Sequence, residues 1–312
     1  MNGTSLNTQG IVEVYPGVVL QPTGGKVFFV HSAGSGALDY LPPGMVGSAD
    51  GFFTTVQQAL APCRSGRGDR IMCLPGHAES IATADAWSNL ASKTDIRVIG
   101  LGGGTNRPTF TWTTATSTVL FDQANFGLEN CRLFLAGAHA AGAALTVAAP
   151  ITASAAGWDI SDCEIAWGFD ADQIVGIGIT TTAAATRGKF NRNDCFAETA
   201  AVPTTTFLRL TGTDFLQIDG TRIIGPGSTT AIGPVQQLTT AMLKAKITNS
   251  VFQSTLAGST IAFTAIAGST GMIDKCSFGV LAAGNGITTG SGMQVTNSKT
   301  AVAAAAGADT TG

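Results

Sequence analysis

The chain has 312 residues and a formal charge of −3, with 12% charged residues against 44% hydrophobic ones. That balance excludes an intrinsically disordered chain, which carries more charge and less apolar surface. It also leaves no basic stripe for nucleic acid. The start, Met1-Asn2-Gly3-Thr4-Ser5, has neither the cationic nor the apolar segment of a secretory signal, and no apolar run reaches the ~20 residues that span a bilayer. A soluble protein made in a cytoplasm, with no signal peptide and no membrane insertion, is expected.

Residues 1–25 read as an extended arm outside the main fold, punctuated by Pro16, Gly17, Pro22, Gly24 and Gly25. Within it Ile11, Val12, Val14 and Tyr15 form an alternating strand that cannot bury itself alone, so the arm is expected to dock on another subunit. Lys26–His31 is a strong strand. After a turn-rich loop, Asp50–Leu60 reads as a short amphipathic helix with Phe52, Phe53, Val56, Ala59 and Leu60 as its stripe and Asp50 as its cap. Gly68-Asp69 then opens a strand, Arg70–Leu74, closed by Pro75-Gly76-His77. Further strands are expected at Ile96–Gly102, Val119–Phe121, Leu145–Val147, Ile174–Ile179, Phe207–Leu210 and Ile261–Ile266.

One short phrase recurs seven times between residues 128 and 299: apolar, one or two polar, a small Cys/Ser/Thr, apolar again. Its small residues are Cys131, Cys163, Cys195, Thr221, Ser250, Cys276 and Ser298, at steps of 32, 32, 26, 29, 26 and 22. A period of that length, made of short alternating strands and Gly/Thr/Ala turns, marks a solenoid of eight or nine coils. Residues in one slot of a coil stack at the inter-strand spacing of ~4.8 Å, so the small residues are expected to form an inward structural ladder. Exchange of Cys for Ser or Thr in that slot speaks against disulfides or a metal site, and no cofactor is expected.

The opening strand, the helix and the phrase Gly68-Asp69-Arg70-Ile71-Met72-Cys73-Leu74-Pro75-Gly76 resemble the entry of a pectate-lyase-like right-handed parallel β-helix. With the repeats, the resemblance covers about residues 26–300. It implies an all-β fold: arm 1–25, one β-helix domain 26–300 whose capping strand and helix occupy 26–67, and a small-residue tail 301–312. The Ala/Thr/Gly-rich coils look most like β-helical structural proteins of tailed bacteriophages.

The chemistry-bearing residues are sparse. Asp162, Glu164, Asp170 and Asp172, with Asp194 and Glu198 on the next coil, are the candidates for a carboxylate pair. The catalytic set of polygalacturonase-like enzymes is absent as a set, and turn carboxylates are the plainer reading. His31, His77 and His139 read as surface or turn residues. Arg67-Gly68-Asp69 spells an integrin-like tripeptide inside a fold phrase, and Gly102-Gly103-Gly104-Thr105 reads as a turn. Trp112, Trp158, Trp167, Tyr15 and Tyr40 are the aromatics suited to stacking on sugars. An outer surface poor in charge predicts a homotrimer. The expectation is a non-enzymatic virion structural protein, assembled in the host cytoplasm: a trimeric capsid decoration or cement protein bound to the major capsid protein, or a short head fibre. The alternative is a tailspike-type protein that binds or cleaves host surface polysaccharide.

Overall fold

The computed structural model describes residues 12–15, 18–20, 25–33, 52–136, 145–167, 173–197, 206–225, 233–238, 240–255, 257–283, 286–289 and 292–302. It is an all-β solenoid of three parallel sheets holding 11, 9 and 7 strands. A complete coil lays one strand on the first sheet, one on the second and one on the third. Among the described residues, complete three-sided coils therefore number seven, the strand count of the third sheet, rather than eight or nine. In the opening coil, after Arg70–Cys73 and Ala78–Ile81, the 3-10 turn Ser88–Leu90 comes where later coils place a third strand.

The core follows from strand alternation, which sends every second side chain inward. On the first sheet Val98, Leu128, Ile160, Phe190, Ile218, Ile247 and Ile273 stand in register and are buried. On the second, Phe110, Leu133, Ile165, Cys195, Ile223, Phe252 and Phe278 do the same. Trp87, Trp112, Trp158 and Trp167 are fully buried, which removes Trp112, Trp158 and Trp167 as sugar platforms. The indole of Trp112 donates to the Pro150 carbonyl at 3.1 Å and meets Trp167 edge to face at 5.3 Å. Tyr40 lies outside the described residues.

The strand expected at Ile174–Ile179 is two strands, Gln173–Val175 and Ile177–Thr181. The first pairs with Leu145–Val147 in a separate two-stranded sheet, and Gly176 makes the step between sheets. A Cβ there would lie 2.9 Å from the Ala148 carbonyl oxygen.

At the N-terminal end Val27–Val30 pairs with Arg70–Cys73, and Phe52–Phe53 is a short strand beside it rather than the start of the helix. The helix is shorter than expected, Val56–Leu60, and Thr55 caps it by accepting the Gln58 N–H. Asp50 lies outside the described residues. Val56, Ala59 and Leu60 are buried, so the helix covers the core of the first coil.

Asp69 ties this cap together. Its buried carboxylate accepts the Lys26 N–H at 2.7 Å, the Arg64 N–H at 2.8 Å and the Arg67 guanidinium at 2.5 and 2.6 Å. The Arg-Gly-Asp tripeptide is thus closed on itself. Desolvation pushes the Asp69 carboxyl up, but Arg67 and the two N–H donors outweigh it and hold the pKa below the ordinary 3.8. A lowered folded pKa contributes stability that is present above 3.8 and lost as pH falls through the lowered value. Asp69→Asn is therefore expected to destabilise the protein by about 1.5–3 kcal/mol at neutral pH. The gap to wild type should narrow below pH ~4, as read from urea midpoints across pH; a pH-independent gap would contradict the ion-paired role.

Candidate functional site: a charged groove along one corner

The first and second sheets meet at a corner of constant form. In seven successive coils two residues separate the strands, and the first of them has a positive φ: Asn130, Asp162, Arg192, Gly220, Asn249, Lys275 and Asn297, at 46° to 59°. This left-handed residue swings the chain from one sheet to the next. The second corner residue points inward and forms the ladder.

The register corrects one member. Glu164 pairs with Asp194, and Ile165 with Cys195, so the residue that follows Cys163 up the stack is Asn193. The ladder is Cys131, Cys163, Asn193, Thr221, Ser250, Cys276 and Ser298. Cys195 instead occupies the apolar column between Ile165 and Ile223. The bonding shows what the slot does. The Cys163 N–H donates to Asn193 Oδ1 at 2.9 Å, the Asn193 N–H to Thr221 Oγ1 at 3.3 Å, the Thr221 N–H to Ser250 Oγ at 3.2 Å, and the Cys276 N–H to Ser298 Oγ at 3.1 Å. The slot side chain also donates to the carbonyl two residues back, as Cys163 Sγ does to Ser161 at 3.2 Å and Ser250 Oγ to Thr248 at 2.7 Å. Burial pushes the Cys163 thiol up to about 12, so it is protonated and inert at neutral pH.

Outside this corner runs a groove of about 1080 Å³ that crosses six coils, from Arg70 to Arg222. At the strand spacing it is about 24 Å long. Its walls carry the acidic candidates, each tied to arginine. Arg132, Glu164, Asp194 and Arg222 follow one another on a single outward row of the second sheet. Arg132 binds both oxygens of Glu164 at 3.0 and 3.3 Å, and Arg222 binds both of Asp194 at 2.6 Å. On the corner row Arg192 grips both oxygens of Asp162, at 2.7 and 2.5 Å. On the first sheet Arg97 reaches Asp159 at 2.9 Å and Glu129 at 3.7 Å. Asp170, Asp172 and Glu198 lie outside the described residues. The surface is more charged here than the sequence suggests, because the charges concentrate on these rows.

Two cations in the groove differ from the rest. Among the described residues, Arg70 and Arg107 form no ion pair, and the buried Nε of Arg107 has no acceptor. Beside them the groove is lined by Met72, Ile99 and Leu101.

His77 is buried, not a surface residue. Its Nε2 lies 3.2 Å from Glu79 Oε2, and that same oxygen accepts the Val56 N–H of the capping helix at 2.8 Å. His31 stands nearby, its ring 6.4 Å from that of His77, and burial first, with His77 also nearby, lowers its pKa. His139 lies outside the described residues. Gly104–Asn106 forms a 3-10 turn whose Asn106 carbonyl accepts the Gly76 N–H, which fits Gly102–Thr105 as a turn. Among the described residues no three His, Cys, Asp or Glu side chains converge to hold a metal ion, and no helix is long and apolar enough to cross a membrane.

No family model, no curated protein and no solved structure matches this chain.

The corrected ladder predicts opposite outcomes for two cysteines. Cys163→Ser is expected to cost less than about 1 kcal/mol, because a hydroxyl in that slot finds both its partners. Cys195→Ser buries a hydroxyl between Ile165 and Ile223 and is expected to cost about 1–3 kcal/mol. Chemical denaturation of the two variants measures both; equal costs would return Cys195 to the ladder.

Proposed function

We propose that the protein is a non-enzymatic structural protein of a tailed-phage virion, a trimeric decoration or cement protein on the capsid or a short head fibre. The observation that carries the non-enzymatic reading is the state of the groove carboxylates. Asp162, Glu164 and Asp194 each spend both oxygens on an arginine, which makes them clamps between coils rather than a spaced acid and base. The trimeric reading draws on the third sheet. Its outward row, Leu120, Thr152, Thr180, Arg209, Gln236 and Thr264, carries one charge, and burial lowers the pKa of that arginine. A long face so poor in charge suits packing against copies of itself. The virion setting rests on the resemblance of the opening module and the coils to phage β-helices.

The groove's length across six coils favours one second reading, the binding or cleavage of an extended host surface polysaccharide. One pair of measurements separates the two. Incubation with host capsule or lipopolysaccharide is expected to release no new reducing ends and no unsaturated sugars. Gold-labelled antibody against this chain is expected to decorate intact particles at regular positions. Product release, or particles without label, would overturn the structural assignment.

A further inference from the structure

The first sheet has two flanks, one at each end of its strands, and they use charge differently. On the groove flank Asp162, Glu164 and Asp194 are each held by an arginine. On the opposite flank, where the chain arrives from the third sheet, cations stand open. Two columns build it. The corner column holds Asp95, Asn125, Gly157, Arg187, Phe215 and Lys244, all at positive φ. The strand column beside it runs in register from Arg70 through Arg97, Gly127, Asp159, Lys189 and Gln217 to Lys246. Arg97 is held by Asp159. Among the described residues Arg70, Arg187, Lys189, Lys244 and Lys246 form no ion pair, and the last four are exposed. From Arg70 to Lys246 is six strand spacings, about 29 Å. These cations line two hollows of about 430 and 500 Å³. The sequence shows no basic stripe because successive coils contribute its members one or two at a time; the fold assembles it.

The acids of this flank are already occupied. Asp69 holds Arg67, and Asp95 accepts from Asn125 Nδ2 at 2.6 Å and Thr94 Oγ1 at 3.0 Å. Asp159 accepts from Arg97 and Ser161, Asp214 from the Leu243 N–H, and Asp219 from Thr248 and Asn249. The flank thus offers donors without free carboxylate acceptors, which suits a phosphate and suits a hydroxyl-rich sugar poorly. Phe215 is an independent sign. It is 52% exposed at a φ of 56°, so a bulky ring stands in a backbone region that disfavours it and gains little burial there. Asn125 and Gly157, on earlier coils of the same column, are residues that region tolerates. Lys244 Nζ lies 5.0 Å from the Phe215 ring centroid, and the preceding coil carries Arg187 and Lys189. An open aromatic within a track of cations stacks an unpaired base while the backbone phosphates meet the cations.

We propose that this flank binds single-stranded nucleic acid, with a base on Phe215 and phosphates along Arg70, Arg187, Lys189, Lys244 and Lys246. The inference goes beyond the virion reading and rests on no part of it.

The test is fluorescence anisotropy of labelled oligo(dT) and oligo(U) with the full-length chain over a range of salt. Both are expected to bind, with log K falling against log salt at a slope of about −3.5, from ~0.7 for each of the cations. The double variant Lys189→Gln with Lys246→Gln is expected to flatten that slope by about 1.4. Phe215→Ala is expected to weaken binding about fivefold or more at an unchanged slope. Lys275→Gln, on the groove flank, is expected to change neither. Circular dichroism checks that each variant folds. Absence of binding at low salt, or binding that either the double variant or F215A leaves unchanged, would overturn the inference. Polygalacturonate, or vesicles of anionic phospholipid, binding this flank more tightly than both oligonucleotides would overturn the nucleic-acid assignment.

Discussion

A strand that leaves one sheet for another must abandon its ladder for a moment, and the backbone N–H exposed at that bend has no strand partner. At this corner the bend sits inside the molecule, where an unpaired N–H is costly. The solution is the same in coil after coil: a left-handed residue makes the turn, and the small polar side chain one coil further on accepts the stranded N–H. The bond crosses between coils, so it fixes their register as well as the bend. Loop lengths elsewhere are then free to vary, and they do. The connection from second to third sheet shrinks from residues 136–150 to residues 281–285 while the corner keeps its two residues. The drifting repeat length of the sequence is this variation; the invariant part is the corner.

That division explains what can be read without coordinates. Apolar alternation on either side of the corner is visible in Leu128–Leu133, Ile160–Ile165 and Ile247–Phe252, so the solenoid and most of its strands are legible. The misreading at Cys195 has a specific origin. The left-handed position favours Asn, Asp or Gly, and Asn130, Asp162, Gly220, Asn249 and Asn297 mark the slot after them. Arg192 carries no such mark, and the thiol three residues on looks more like its neighbours than Asn193 does. Lys275 is equally unmarked, but the thiol of the slot, Cys276, follows it directly and outweighs Ser277 beside it. His77 and Glu79 were illegible for another reason. Glu79 joins His77 to Val56, more than twenty positions earlier, and local pattern holds no trace of that contact.

The groove shows how charge is used once the corner has fixed the rows. Glu164 and Asp194 fall on adjacent coils of one outward row, where like charges repel. Arg132 and Arg222 bracket them from the coils on either side, so each carboxylate turns away from the other toward its own guanidinium. Exposed pairs of this kind add only about 0.2–1 kcal/mol each. Their larger effect is to leave each carboxylate in the middle of the groove paired to a guanidinium. Of the candidate carboxylates, Asp162, Glu164 and Asp194 are each engaged by an arginine.

The same row logic fails at the first coils, and the failure is informative. Thr109 stands where the next coil carries Arg132, and the first-sheet row runs from Val27 to Arg70 and directly on to Arg97, two cations in sequence with no acid between them. Arg97 escapes by leaning over Gly127 to Asp159, a reach possible because Gly127 has no side chain: a Cβ there would lie 3.3 Å from Arg97 Cγ. Arg70 and Arg107 have no equivalent route. Within the groove, then, the paired rows of the later coils give way at the first two coils to cations that no neighbouring carboxylate answers among the described residues.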